Sequence, residues 1–490
     1  MAKRKASATR ETRNPAERSQ VAHKKKSTPS TPSRRPRAQS PATDSTIQAP
    51  AGGAASGAVT GLRVRMYRVG FGDFFLLTVP ASPEPKHILI DCGVHAGDLG
   101  SIEDAISDMA KETGGNLALL VMTHRHADHI SGFATCKDVF SKFNVERIWM
   151  SWFEDPNDKD ASRFQANLTA VATQLTSALA ARSDADSQEL KSMAENITGP
   201  LLGFGAGPSN AVALAVLHGS FNGKQPPIDY YKAGDPADLP QELIDAGLTA
   251  QILGPPIDPT LVSQMNGKNE QYLAGADESD STPLRPPFPM VFESDAKHYP
   301  LAAFGSYSYD DIEKSVNSAQ PDLTGAKARQ ADNTLNNQSL VILFTFGGKT
   351  LLFVGDAQWG NWENFLFGGK VGTDGHTTLT AQSIKILNDI DFYKVGHHGS
   401  TNATPIDAVK ALRKGCVAMC STQPGCYGKV GSGTEVPRGP LLDQLNKQTN
   451  GQLARSDEIP ANGKPPTPGL GAVPSAFKVP TGELFIDYNF

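Results

Sequence analysis

The 490-residue chain has no run of eighteen apolar residues, so no membrane-spanning helix is expected. Cysteine is scarce: five residues, an odd number, exclude a disulfide framework and point to a reducing, cytoplasmic setting. The opening MAKRKASATR is basic but leads into no apolar segment, which argues against a secretory leader. The first 60 residues lack aromatic residues altogether. Twelve Lys or Arg stand there against Glu11, Glu17 and Asp44, a net of +9, which leaves −14 on the rest of a chain whose overall charge is −5. So little apolar surface cannot offset the entropy of ordering, and residues 1–60 are expected to form a disordered basic tail. Its runs Lys24-Lys25-Lys26 and Arg34-Arg35-Pro36-Arg37 could touch nucleic acid, although a solubilising role is the simpler reading. The acidic remainder does not suit a non-specific nucleic-acid binder.

Order is expected from Gly61. Leu62–Tyr67 alternates apolar and charged residues as a half-buried strand does, and Phe74–Val79 reads as its hairpin partner across the turn Val69–Asp73. A strand over His87–Ile90 runs into Asp91-Cys92-Gly93. Leu117–Met122 is an apolar run of strand length, buried on both faces. Helices are expected over Ile102–Lys111, Phe164–Leu179 and Pro440–Lys447. Further strands are expected over Val145–Met150, Leu248–Leu253, Ser339–Phe346, Thr350–Val354, Phe392–Val395, Cys416–Cys420 and Glu483–Tyr488. Strands alternating with helices give an α/β class. Residues 199–330 read as irregular, and about 155–330 as an insertion that covers the site and sets substrate choice.

The chemistry gathers in Thr123-His124-Arg125-His126-Ala127-Asp128-His129, which places three of the chain's 11 histidines and an aspartate directly after a buried strand. Alternate residues of a compact loop share one side, so His124 and His126 can face one point, with Asp128 and His129 facing another. Imidazole and carboxylate suit Zn²⁺, Mn²⁺ or Fe. The plain alternative is a solvated, histidine-rich loop. Asp356, after LLFVG, and His397-His398, after FYKVG, occupy matching places at strand ends, where sites form in α/β sheets. The cysteines have no paired spacing for a structural zinc. Tyr393 and Lys394 read as packing and surface residues, Trp359 and Trp362 as a packed helix face, and Arg438 as either a phosphate contact or a surface residue.

HRHADH resembles the HxHxDH signature of the metallo-β-lactamase superfamily, and Asp91, Asp356 and His398 resemble its first-motif, bridging and final metal residues. NNQSLV from Asn336, LLFVGD ending at Asp356 and KVGHHGS from Lys394 are similar to the ComEC-like group of that superfamily. The resemblance implies an αββα sandwich and a dinuclear centre of divalent ions, Zn²⁺ or Mn²⁺. It gives His124, His126 and one of His397 and His398 to the first ion, and Asp128 and His129 to the second. Asp356 would bridge the ions, Asp128 would also orient the attacking water, and Asp91 and Asn337 would stand behind the ligands. The separate histidine many superfamily members place before the bridging aspartate has only His218 and His298 as candidates here. The activity implied is metal-dependent phosphodiester hydrolysis, a phosphodiesterase or nuclease, through a metal-activated water. The alternatives are a hydrolase of lactones, thioesters or amides, and a non-enzymatic partner-binding module. The oligomeric state is not legible.

Overall fold

The computed structural model describes residues 61–97, 99–166, 169, 210–267, 271–272, 334–368, 379–428, 435–459 and 472–490. The basic tail, His298 and most of the helix expected over Phe164–Leu179 lie outside these residues. The described residues belong to one compact unit, Gly52–Phe490.

The apolar runs form strands because alternate residues have a core on each side. The first sheet holds β1 (Arg63–Tyr67), β2 (Phe74–Val79), β3 (Lys86–Cys92), β4 (Asn116–Val121), β5 (Asn144–Ser151), β6 (Ile228–Tyr231), β13 (Phe477–Lys478) and β14 (Phe485–Asn489), in the order β13-β14-β1-β2-β3-β4-β5-β6. Its β14-β1-β2-β3 pairs are antiparallel and its β3-β4-β5-β6 pairs parallel. The second sheet holds β7 (Thr249–Gly254), β8 (Val341–Phe346), β9 (Lys349–Phe353), β10 (Phe392–Lys394), β11 (Val417–Cys420) and β12 (Leu453–Arg455), in the order β12-β11-β10-β9-β8-β7. It too passes from antiparallel (β7-β8-β9) to parallel pairing (β9-β10-β11-β12).

Phe75, Leu77, Ile88, Ile90, Ile342, Phe344, Leu351 and Phe353 share one core, so the sheets meet face to face. The opposite residues of β2, β3 and β4 (Phe74, Leu76, Leu89, Leu120) pack against α1 (Ile102–Thr113), α2 (Ala127–Thr135) and the helix Asn210–Leu217. The opposite residues of β8 to β11 (Leu343, Leu352, Tyr393, Ala418) pack against the helices Trp359–Phe367, Ile406–Ala411 and Gly439–Gln448. The class is α/β with mixed sheets, as expected. Among the described residues, no helix is long and apolar enough to cross a membrane.

The expected insertion is partly integral. β6 forms one edge of the first sheet and β7 one edge of the second, so residues 155–330 cannot be excised without stripping both edges. The short strand Ile228–Tyr231 escaped the sequence pattern because only Tyr231 of its four residues is buried, which leaves no alternation to read.

Candidate metal centre

The parallel strands point their carboxyl ends the same way, and the chain segments leaving β3, β4, β9, β10 and β11 meet there. Asp91, near the end of β3, has a φ of 54°, a left-handed value that a non-glycine residue adopts only when its surroundings hold it. Its Oδ1 accepts the Thr123 backbone N–H at 2.8 Å, and its Oδ2 accepts the Thr123 hydroxyl at 2.7 Å and His129 Nδ1 at 2.8 Å. Asp91 therefore stands behind the histidine loop and accepts from His129 Nδ1, which leaves Nε2 to face Asp356. That Nε2 is buried with no hydrogen-bond partner and lies 3.2 Å from Asp356 Oδ2. Gly93 lets the first turn of α2 sit this close: a Cβ there would lie 2.4 Å from the His129 nitrogen.

His124 Nε2 stands 3.1 Å from His126 Nδ1, and His124 Nδ1 lies 3.2 Å from the hydroxyls of Thr123 and Ser339. Two nitrogens bound to one tetrahedral Zn²⁺ at 2.0–2.1 Å lie roughly 3.3 Å apart, so this pair fits a shared ion. Ser339 Oγ also accepts the Asp356 amide at 3.0 Å and so joins the two sheets behind the ligands. Where β9 turns towards Asp356, Gly355 has a φ of 52°, and a Cβ would meet Thr123 and Ser339 at 2.9 Å.

His397 and His398 lie in a turn with φ of 43° and 52°. His398 Nδ1 donates to the Ser421 carbonyl at 2.9 Å, which turns its Nε2 to within 3.1 Å of Asp128 Oδ2 and 3.5 Å of Asp356 Oδ2. His397 Nδ1 pairs with Ser400 Oγ at 2.9 Å, and its Nε2 is 3.8 Å from Asp356 Oδ2. Ser400 and Asn402 thus hold His397. Phe71 packs on the His398 ring with centroids 4.2 Å apart.

One ligand atom each from Asp128, His129, Asp356 and His398 lie within 4.8 Å of one another. Of the two histidines left open for the first ion, His398 joins Asp128 and His129, because its Nδ1 anchor aims the ring at the carboxylates. The electrostatics call for a cation. Burial works against both aspartates, but His398 and His129 hold the Asp128 and Asp356 carboxyls well below the ordinary range. Burial also opposes charge on His129 and His398, yet Asp356 heads the carboxylates that raise both pKa values. His124 and His397 are lowered, chiefly by burial, and so favour neutral, ligating imidazole. His129 Nε2 and Asp356 Oδ1, buried without a hydrogen-bond partner, and this donor set fit divalent ions.

Compared with family models and with curated proteins, the chain matches none.

Two sequence expectations are corrected, for Asn337 and Arg438. Asn337 does not stand behind the ligands: its side chain donates to the carbonyls of Val262 and Gln264 and accepts the amides of Gln358 and Asn361, bracketing the start of the helix Trp359–Phe367. His218, one of the two candidates for a separate metal histidine, stacks near Tyr230 with centroids 6.4 Å apart and is not in the grouped ligand set. Arg438 is buried, with Nε on the Tyr272 carbonyl and Nη1 on Glu435, because its own amide is tied to Gly399. Arg125 is likewise committed, to Glu154 at 2.6 and 2.8 Å. Sequence reasoning missed Ser339, Asp73 and Lys394. The one available signal was a lysine inside an otherwise apolar strand.

Proposed function

We propose that the chain is a metal-dependent phosphodiesterase of the metallo-β-lactamase superfamily, in its ComEC-like group, with the layered sheets as that family's αββα sandwich. The convergence of Asp128, His129, Asp356 and His398 from three separate chain segments carries the reading. Their order along the chain and the surrounding motifs support the family reading, and the +9 charge of residues 1–60 suits an acidic polymer such as DNA or RNA.

Two divalent ions, Zn²⁺ or Mn²⁺, would supply the Lewis acidity that makes a water nucleophilic near neutral pH. His124, His126 and His397 would hold one, and Asp128, His129 and His398 the other, with Asp356 between them. Asp128 and His397 are the members of this set that reach solvent, with side chains 13% and 22% exposed. Substrate would therefore meet the centre on their side, where Asp128 would orient the attacking water. Asp91 and Ser339 keep the histidine loop and the Asp356 turn in place.

Hydrolysis of bis(p-nitrophenyl) phosphate by the full-length chain with Mn²⁺ or Zn²⁺ tests this. Turnover should fall at least about a hundredfold in Asp128→Ala and His398→Ala, and about tenfold in His397→Ala, whose ring is the more distant. Two bound ions without phosphodiester turnover would refute the activity; turnover of lactones or thioesters instead would replace it.

A further inference from the structure

Lys394 is the one fully buried lysine among the described residues. Its Nζ contacts the Asp73 carboxylate, donates to the Gly355 carbonyl at 3.0 Å and stands 3.7 Å from Asp356 Oδ1. Asp73 is as deeply buried. Its amide donates to the Asp128 carbonyl at 2.8 Å, and its carboxylate lies 3.5 Å from His398 Nδ1 and 3.8 Å from His129 Nδ1. The pair thus touches the backs of all four grouped residues. Asp73, Asp91 and His129 also place ligand atoms within 4.8 Å of one another, the spacing of a further cation site. The Lys394 ammonium sits against that group from inside the protein.

We infer that Lys394 is a positioning residue of the proposed centre: a resident cation that pins the Gly355–Asp356 turn and attends Asp356 Oδ1, so that Oδ2 faces His129 and His398. The inference rests on the metal-centre reading above. Its rival is that Lys394 only neutralises Asp73. The two separate cleanly, because deleting one member of a buried ion pair strands the other charge, whereas replacing both with neutral groups does not. If neutralisation were the whole role, removing both would restore the site. If Lys394 positions Asp356, removing both restores folding but not the site.

The test compares the full-length protein with the double variant Asp73→Asn/Lys394→Met. Unfolding should stay close to wild type. The visible spectrum of the Co²⁺-loaded protein should change, and kcat on bis(p-nitrophenyl) phosphate should fall about tenfold or more with KM within about twofold. A folded double variant with the wild-type spectrum and kcat overturns the inference and leaves the metal-centre reading intact. If the double variant does not fold, the wild type decides: the solvent-shielded lysine ammonium resonance must move when Zn²⁺ is added to metal-free protein, and an unmoved resonance overturns the inference. Wild-type protein that takes up neither Co²⁺ nor Zn²⁺ refutes the metal centre itself, and this inference falls with it.

Discussion

The two sheets follow one plan, antiparallel strands and then parallel ones, and each delivers ligands from its carboxyl edge. They differ in how those ligands are held. In the first half, His124, His126, Asp128 and His129 lie on one loop and the first turn of α2 that follows it, and Asp91 of the same half clamps that segment with three hydrogen bonds. In the second half, Asp356 and the histidine pair follow different strands. Gly355, His397 and His398 all have positive φ, and such conformations in non-glycine residues cost about 1–3 kcal/mol each. Their restraints cross the seam: Ser339 to His124, His398 to Asp128, and the Leu340 amide to the Thr123 carbonyl at 3.0 Å. The first half is organised from within, and the second is completed by docking against it.

That contrast can be broken at its anchors. Asp91→Ala leaves the Thr123 amide, the Thr123 hydroxyl and His129 Nδ1 buried without their acceptor. Each loss costs about 1–3 kcal/mol, so the variant should lose roughly 3–5 kcal/mol in denaturant unfolding and most of its divalent-ion uptake by calorimetry. Stability within about 1 kcal/mol of wild type would show that the loop does not depend on Asp91. Ser339→Ala cuts one bridge across the seam and should cost only about 1–2 kcal/mol. It should keep both ions while lowering kcat severalfold. If Ser339→Ala proved costlier than Asp91→Ala, the second half would be the organising one.

The first half was also the more legible. HRHADH places its ligands within one loop, so spacing alone announces them, and the apolar runs of β2 and β4 reveal themselves because both faces meet a core. Asp356 and the histidine pair were visible as polar residues at strand ends. Sequence could not place His398 beside Asp128, because that proximity depends on how two sheets close and on a Ser421 carbonyl that carries no sequence signal. Asp73 read as part of a turn, and Lys394 as a surface residue, because lysine is almost never fully buried unless paired. Its partner lies on the other sheet. Asn337 sits in a recognised motif yet serves helix Trp359–Phe367, since a motif marks a place in the chain without stating what the side chain touches there.

The finest difference lies in protonation, and here the halves agree: each pairs a histidine with a lowered pKa (His124, His397) with one that is raised (His129, His398). A lowered histidine leaves the unfolded state holding more protons below the ordinary value of about 6.5, so stability climbs as pH rises towards that value. A raised histidine contributes stability that is fully present below about pH 6.5 and is lost as pH rises through its folded pKa. Metal-free protein should therefore melt highest near pH 6–7 and lower on either side, as thermal unfolding across pH 5–9 would show. Divalent ions compete with the protons on His129 and His398, so Zn²⁺ should remove the decline on the alkaline side and move the maximum upwards. The same experiment in His398→Ala should flatten the alkaline limb only in part, because His129 in the first half retains its proton. A metal-free melting curve that rose steadily to pH 9 would mean that neither half holds a proton in place of its ion.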